Sequence, residues 1–245
     1  MLDGFLLRLA RRSDADAFVL RGGRLVRHWF PQAGRPARDI DLVCRLPYDE
    51  ALIRQLLSTL LSDRPGDGVQ FDFERFRLDS IHVNDPHPAM RLFCAGKVDG
   101  WSGEMTVDLT FHLEVWPAAE TAVVSVGASQ VQLHVCQPAM LIGRKLRVTE
   151  ELGTRHWRPK DLWDLQRMLR HFSPRPALIG AAIERTLGAD GPQRLTDTLS
   201  RHSWGAPQAG RRWQRFLHSV PSLDADRQLA AVVGEVRSRL REVIS

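Results

Sequence analysis

The spacing of apolar residues changes near Pro138, and this change constrains the fold more than any other feature of the sequence. Many segments before Pro138 carry apolar residues at every second position, whereas residues 138–245 repeat them at intervals near 3.6. Alternation is typical of strands with one buried face, and the 3.6 interval is typical of amphipathic helices. We therefore predict an α+β protein, with a mixed-sheet α/β domain at residues 1–137 and a C-terminal helical bundle at residues 138–245.

Local patterns predict the individual elements of both parts. Strands are expected at residues 17–23, 38–46, 69–78, 90–98, 103–115, 121–126 and 131–135. Helices are expected at residues 4–12, 23–30, 48–63, 138–153, 158–172, 175–187, 209–220 and 224–244. His112 and His134 fall in strand patterns and His156 in a loop, so we expect structural roles for all three.

Composition indicates an ordinary soluble protein. Hydrophobic residues make up 43% of the chain and charged residues 26%, and no apolar run reaches the 18 residues that a membrane span needs. The three cysteines lack the CxxC spacing of a zinc site or a disulfide framework. The N-terminal apolar stretch is too short for a secretory signal, so we expect a cytoplasmic protein without membrane contact.

Positive charge is concentrated in the last hundred residues. Residues 1–144 hold 16 Lys and Arg against 18 Asp and Glu, a balance of −2, whereas residues 145–245 hold 18 against 11, a balance of +7. Such a basic half suits a polyanionic partner, because neutralised phosphates give affinity that is independent of sequence. A solvated arginine-rich surface without a partner explains the same balance equally well.

Two aspartates in the segment RPARDIDLV suggest a metal site. Asp39 and Asp41 are two residues apart on a predicted strand, so both point to one face, about 7 Å apart. A divalent cation such as Mg²⁺ commonly offsets the repulsion of two close carboxylates. Asp108, in the strand pattern TVDLTF, is a candidate third ligand. The pair Gly22 and Gly23 follows the first predicted strand and offers backbone N–H groups to a phosphate.

Each of these features also has a purely structural explanation. Asp39 and Asp41 could belong to the solvated face of an edge strand, the glycine pair could be a tight turn, and Asp108 could pair with Arg91. The order of the features along the chain favours a joint site, because glycines, paired aspartates and a later aspartate follow one another as they do in nucleotidyltransferases.

The blocks FVLRGGRLVRHW, RPARDIDLV, RLFCAGKVDGWSGEMTVDLTF, PAMLIGRKL and LGTRHWRPKDLWDL resemble the AbiEii/AbiGii-type nucleotidyltransferase toxin family. This family belongs to the polymerase-beta-like nucleotidyltransferase superfamily. The resemblance covers residues 4–172, and residues from 173 onward are placed by position alone. This sequence departs from the family pattern at Ala37, where Ser or Thr is common.

The resemblance implies roles for individual residues. The implied metal ligands are Asp39, Asp41 and Asp108. The implied nucleotide-binding residues are Gly22, Gly23, Arg35 and Lys145. The implied catalytic residues are Asp39, Asp41, Asp108, Lys145 and Asp161. Two structural alternatives stay open: Lys145 as a solvated helix residue, and Asp161 as an ordinary acid at a helix start or a residue that positions Lys145.

The resemblance further implies a Mg²⁺-dependent toxin that moves NMP from an NTP to an RNA hydroxyl. A tRNA 3′ end is the expected acceptor, and a cognate antitoxin is the expected partner. Two alternatives remain: a nucleotidyltransferase with a small-molecule acceptor, and an inactive relative that binds RNA or a partner. The positive balance of residues 145–245 argues against the first, and the presence of Asp39, Asp41, Asp108 and Lys145 argues against the second.

Overall fold

The computed structural model describes residues 1–32, 35–172, 176–220 and 228–244. These residues divide into two compact units. The sheet unit comprises Met1–Pro31 and Pro36–Cys136, and the helical unit comprises Gln32–Arg35 and Gln137–Ser245. The first residue of the helix predicted at 175–187 and the first four residues of the one predicted at 224–244 lie outside the described residues.

One sheet organises the sheet unit. Its strands in the described chain are Phe18–Arg21 (β1), Asp39–Cys44 (β2), Val69–Phe71 (β3), Arg77–Ile81 (β4), Ala89–Val98 (β5), Trp101–Thr110 (β6), Glu120–Val126 (β7) and Ser129–Val135 (β8). They are ordered β3-β5-β6-β2-β1-β8-β7, and β4 also pairs with β5. β2 runs parallel to β6 and β1 parallel to β8, whereas the other pairs are antiparallel. The predicted mixed sheet is therefore confirmed.

Alternating burial along the strands builds the core of the sheet unit. Ile40 and Leu42 of β2 and Val107 of β6 are at most 1% exposed. The helices of this unit in the described residues are Leu2–Ala10 (α1), Gly22–Trp29 (α2) and Glu50–Ser62 (α3). Apolar side chains at helical spacing, such as those of Leu6 and Ile53, are buried on α1 and α3, as an amphipathic pattern requires.

Two predicted strands are shorter or more broken than their sequences suggested. The strand predicted at 69–78 is interrupted between β3 and β4 by a turn in which Arg75 N–H donates to Asp72 O at 3.3 Å. The strand predicted at 103–115 ends at Thr110 because His112 adopts a φ of +55°, which a strand cannot accommodate. His112 therefore lies beyond β6, whereas His134 lies in β8 as predicted.

The helical unit confirms the predicted C-terminal bundle. Its helices within the described residues are Pro138–His156 (α4), Pro159–His171 (α5), Pro176–Leu187 (α6), Gly191–Ser200 (α7), Pro207–His218 (α8) and Leu229–Ile244 (α9). Proline begins α4, α5 and α8, where its missing N–H costs no hydrogen bond. His156, predicted in a loop, is the last residue of α4, which continues beyond a kink at Gly153.

Aromatic packing and one carboxylate hold the bundle together. Trp163 of α5 and Trp213 of α8 are fully buried, with ring centroids 6.3 Å apart. Glu235 of α9 accepts hydrogen bonds from Gln166 and Arg170 of α5. The bond from Arg170 is the largest cause that lowers the pKa of Glu235 to about 2, so this carboxylate stays charged between α5 and α9. None of the described helices is long and apolar enough to cross a membrane.

Arg8 provides a test of how the sheet unit is stabilised. Its buried guanidinium donates to Asp67 Oδ2 at 2.7 Å and to the carbonyl oxygens of Gly4, Asp63 and Val69. We expect Arg8→Met to lower the free energy of unfolding by about 3–5 kcal/mol, because it leaves Asp67 without its cation. Arg54→Ala is the control, since Arg54 pairs with Glu50 at the same 2.7 Å but is exposed.

Urea unfolding curves of both variants and the wild type measure this difference. The exposed pair of Arg54 and Glu50 should contribute less than about 1 kcal/mol to the free energy of unfolding. Equal losses in the two variants would contradict the assignment of Arg8 as a buried anchor.

Candidate active site

The two aspartates of β2 lie on the face opposite its buried apolar residues. Ile40 and Leu42 are at most 1% exposed, whereas Asp39 and Asp41 are partly exposed. Alternation along the strand therefore brings both carboxylates to one face of the sheet. Asp39 stands opposite Thr106 of β6.

A row of charged residues crosses the sheet through Asp41, and four of its members lie on β1, β2, β6 and β5. Arg21 of β1 stands opposite Asp41, Asp41 stands opposite Asp108 of β6, and Asp108 stands opposite Arg91 of β5. Residues opposite each other share a face, and neighbouring strands lie about 4.8 Å apart. Two carboxylates are thus adjacent, and a guanidinium flanks them on either side.

Arg91 holds Asp108 through both carboxylate oxygens. Nε donates to Oδ1 and Nη2 donates to Oδ2, each at 2.7 Å. These bonds to Asp108 are the main cause that raises the pKa of Arg91, and the charges of Asp39 and Asp41 raise it further. The Arg91 side chain is 40% exposed, so solvent reaches the pair. Pairing with Arg91 is the structural alternative that the sequence left open for Asp108.

Arg21 lies on the other side of the row. Its Nη2 donates to Thr110 Oγ1 at 2.7 Å and lies 3.9 Å from Asp41 Oδ1. Sequence reasoning missed Arg21 and Thr110 as neighbours of the aspartates. Arg21 directly precedes the glycine pair, but only the register of β1 against β2 reveals that it faces Asp41.

Gly22 brings the backbone at the start of α2 against Asp41. Its φ of +71° lies in the left-handed region, and a Cβ there would stand 1.9 Å from Asp41 Oδ2. Glycine is therefore required both by conformation and by space. Arg21 occupies the N-cap position and has no acceptor on its side chain, so it cannot cap the first N–H groups of α2. Gly23 is buried in that first turn.

Two of the three candidate carboxylates, Asp39 and Asp41, suit a hard divalent cation such as Mg²⁺. Mg²⁺ prefers carboxylate oxygens and fills its remaining positions with water or phosphate, which suits Asp39 and Asp41. Within the described ranges, no three Asp, Glu, His or Cys side chains are grouped closely enough to hold a metal ion. Each oxygen of Asp108 accepts one hydrogen bond from Arg91 and keeps a second lone pair. Asp108 is therefore a candidate third ligand that would share its carboxylate with Arg91.

Asp164 lies at the centre of a charge cluster inside the helical unit. Its Oδ2 lies 2.9 Å from Lys145 Nζ and accepts a hydrogen bond from Arg35 Nη2 at 3.1 Å. Lys145 also donates to Asp161 Oδ1 at 2.8 Å. The Asp164 side chain is fully buried, and the other three are at most 10% exposed. Two cations and two carboxylates balance one another within the cluster.

This cluster keeps Lys145 charged. Burial lowers the pKa of Lys145, but the carboxylates of Asp164 and Asp161 outweigh burial and raise the pKa above its ordinary value. Oδ2 of Asp161 and Oδ1 of Asp164 are buried and find no hydrogen-bond partner among the residues that the structure describes. Leaving such acceptors unsatisfied costs about 1–3 kcal/mol each, which is more typical of functional sites than of ordinary packing.

The predicted site residues thus fall into two groups. The sheet unit contains Gly22, Gly23, Asp39, Asp41 and Asp108, and the helical unit contains Arg35, Lys145 and Asp161. The structure adds Asp164, which the sequence had not assigned to the site. Its signal was its position three residues after Asp161 on an amphipathic helix, which brings both to one face.

Gly22→Ala tests the close contact with Asp41. The substitution should lower the free energy of unfolding by more than the roughly 1–2 kcal/mol that a left-handed alanine costs, because its methyl group also displaces the Asp41 carboxylate. Gly100→Ala is the matched control: Gly100 has a φ of +82°, and a Cβ there meets nothing within 4 Å. Urea unfolding of the two variants separates the cost of the left-handed conformation from the cost of the contact with Asp41. Equal losses in the free energy of unfolding would contradict the contact.

Lys145→Met tests the cluster around Asp164. We expect it to lower the free energy of unfolding by about 3–5 kcal/mol, because it leaves two buried carboxylates with less positive charge. Adding Asp161→Asn should restore part of that loss, since it returns the cluster to charge balance. Thermal and urea unfolding of both single variants and the double variant measure the coupling; strictly additive losses would argue against a shared cluster.

Comparison with known proteins identifies the family of this chain. The model of the family described as nucleotidyl transferase AbiEii toxin, type IV toxin–antitoxin system, matches residues 4–235. No curated protein matches the chain. The family match reaches α9 and so includes the helices after residue 172, which the sequence resemblance had placed by position alone.

Two solved structures from Helicobacter pylori share the fold. One is JHP933, which is 13% identical with a TM-score of 0.56, covering 99% of this chain and 88% of that chain. The other is a candidate nucleotidyltransferase, which is 15% identical with a TM-score of 0.59, covering 99% of this chain and 93% of that chain. At such identities the likeness concerns the fold alone. The family match over residues 4–235 goes further: this chain belongs to the AbiEii family of nucleotidyltransferase toxins of type IV toxin–antitoxin systems.

Proposed function

We propose that this protein is a Mg²⁺-dependent toxin that transfers NMP from an NTP to a hydroxyl group of RNA, with a tRNA 3′ end as the acceptor. The observation that carries the proposal is the adjacency of Asp41 and Asp108 in one row of the sheet, with Asp39 on the same face of β2. Membership in the AbiEii family supports nucleotidyl transfer and implies an antitoxin partner.

Asp39, Asp41 and Asp108 are the proposed Mg²⁺ ligands. The bound ion would neutralise triphosphate charge and favour attack at the α-phosphorus. Gly22 and Gly23 begin α2, whose first N–H groups point away from the helix and suit a phosphate.

Asp108 is the proposed residue for the incoming hydroxyl. In the transfer, the RNA oxygen forms a bond to the α-phosphorus, and the bond from that phosphorus to the departing pyrophosphate breaks. The carboxylate of Asp108, once it has exchanged Arg91 for the hydroxyl, would orient the oxygen and accept its proton. Arg91 and Arg21 flank the two carboxylates, so they are suitable partners for phosphate oxygens that arrive there.

Lys145 and Arg35 are proposed to stabilise the negative charge that develops on the phosphates. Their support is the cluster around Asp164, which keeps Lys145 charged and restricts both side chains. Asp161 acts in this proposal through Lys145, because it accepts a hydrogen bond from the ammonium group at 2.8 Å. A lysine fixed in this way loses little conformational freedom when it meets a phosphate.

RNA as the acceptor is supported by the charge balance of +7 over residues 145–245. The choice of a tRNA 3′ end rests on the family resemblance. Both substrates, NTP and tRNA, belong to the cytoplasm, which is therefore the proposed location.

Asp41→Asn tests the proposed metal site. The change keeps the size of the side chain and removes one negative charge, so we expect nucleotide transfer to fall at least about a hundredfold, as the loss of several kcal/mol of transition-state stabilisation requires. The variant should stay folded, because the change also removes the repulsion between Asp41 and Asp108. Asp79→Asn is the control, since Asp79 lies on β4 in register with Arg91 and is not assigned to the site.

The assay incubates purified protein with Mg²⁺, total RNA and each α-³²P-labelled NTP in turn, and separates the products on a denaturing gel. Label in a tRNA-sized band supports the proposal, and removal of Mg²⁺ with EDTA should abolish it. Label in a small molecule would mean that the acceptor is that small molecule and not RNA. Undiminished labelling by Asp41→Asn would remove Asp41 from the site.

A further inference from the structure

A pocket of about 650 Å³ opens in the helical unit between the end of α4 and the start of α8. This volume lies within the roughly 300–1,000 Å³ of ligand sites. The pocket shares no lining residue with the cluster of Arg35, Lys145, Asp161 and Asp164. It is therefore a separate candidate site, to which the proposed transfer reaction assigns no role.

The lining of the pocket is cationic. Arg155 at the end of α4, Arg201 after α7 and Arg212 of α8 line it together with His156, and the lining includes no Asp or Glu. In the described chain, none of these three arginines forms an ion pair with a carboxylate. Arg212 uses Nη1 for the backbone oxygens of Arg155 and Trp157, both at 3.1 Å. Among the residues that the structure describes, no carboxylate pairs with the positive charge of this pocket.

Other arginines of the same unit behave differently. Arg147 pairs with Glu151 at 2.6 Å and Arg194 pairs with Glu150 at 3.1 Å. Like charges that converge on one pocket repel one another unless an anion is bound there. The lining residues that the structure describes include no carboxylate, and this favours an external anion.

Hydroxyl groups and a buried tryptophan complete the pocket. Thr154 and Ser203 contribute hydroxyl groups to the lining. α8 begins beside them with Ala206 at the N-cap, which has no side-chain acceptor for the free N–H groups of the first turn. Trp157 is 2% exposed and packs against Trp204 at 5.3 Å between ring centroids. Its buried ring supports the lining but offers no face on which a base could stack.

We propose that this pocket binds phosphodiester groups of the acceptor RNA. Exposed guanidinium groups, hydroxyls and a helix N-terminus recognise phosphate oxygens without reading a base. The buried position of Trp157 argues against a site for a free nucleotide, which is usually held by its base as well. The inference rests on the proposed function in one respect, namely that the acceptor is RNA.

The test compares two double variants of the full-length protein that remove equal charge. Arg155→Gln with Arg201→Gln alters the pocket, and Arg237→Gln with Arg241→Gln alters α9, outside the pocket. Fluorescence anisotropy with 5′-labelled total tRNA gives the dissociation constant of each protein over a range of KCl concentrations. Each lost phosphate contact should reduce the slope of log affinity against log salt by about 0.7–0.9.

We expect the slope of log affinity against log salt to be smaller by about 1.5 in the pocket variant. The slope of the α9 variant should stay near that of the wild type. Unfolding curves for both variants confirm that they fold. The pocket variant should also raise the KM for tRNA in the labelling assay and leave the KM for NTP unchanged.

The possible failures are distinguishable. If the wild type labels tRNA but the two variants lose equal slope, the pocket assignment is overturned and the proposed function stands. If the wild type neither binds nor labels tRNA, both are overturned. If inorganic phosphate at low millimolar concentration displaces tRNA from the wild type but not from the pocket variant, the phosphate chemistry of the pocket is supported.

Discussion

Electrostatic repulsion between Asp41 and Asp108 is the constraint around which the central part of the sheet is built. Parallel pairing of β2 with β6 brings the two carboxylates side by side, and such a contact is unfavourable in isolation. Arg21 and Arg91 stand on the outer sides of the pair, so each carboxylate has one cationic neighbour. The order of the strands thus distributes charge as well as hydrophobic surface. Gly22 depends on the same arrangement, because only a residue without Cβ leaves room for the Asp41 carboxylate.

The charges of the helical unit are arranged by a different rule. In the sheet unit the Arg91 side chain is 40% exposed, and water screens its pairing with Asp108. Around Asp164 the four charged side chains are almost fully buried, so removing any one of them leaves an uncompensated buried charge. The exposed row can therefore exchange partners when a ligand arrives, whereas the buried cluster holds its groups in fixed positions.

Sequence patterns predicted the strand that carries Asp39 and Asp41, the switch to helices after Pro138, and the broad α+β fold. These features are local, because they depend on the spacing of neighbouring residues. The partners of the site residues could not be predicted in the same way. That Arg21 faces Asp41, or that Arg35 reaches Asp164 across 129 positions of the chain, follows from register and tertiary packing. The break between β3 and β4 was missed although the alternation shifts there by one residue, from apolar positions 69, 71 and 73 to apolar positions 76 and 78.

The tryptophans of the two units differ in exposure. Trp157, Trp163, Trp204 and Trp213 of the helical unit are at most 4% exposed, whereas in the sheet unit Trp29 and Trp116 are half-buried and Trp101 is 79% exposed. Buried indoles emit at shorter wavelengths than solvated ones and are shielded from dissolved quenchers. The short-wavelength emission of this protein therefore originates mainly in its helical unit, and Trp101 contributes at the red edge of the spectrum. The blue edge of the intrinsic fluorescence thus reports chiefly on the helical unit in an unlabelled sample.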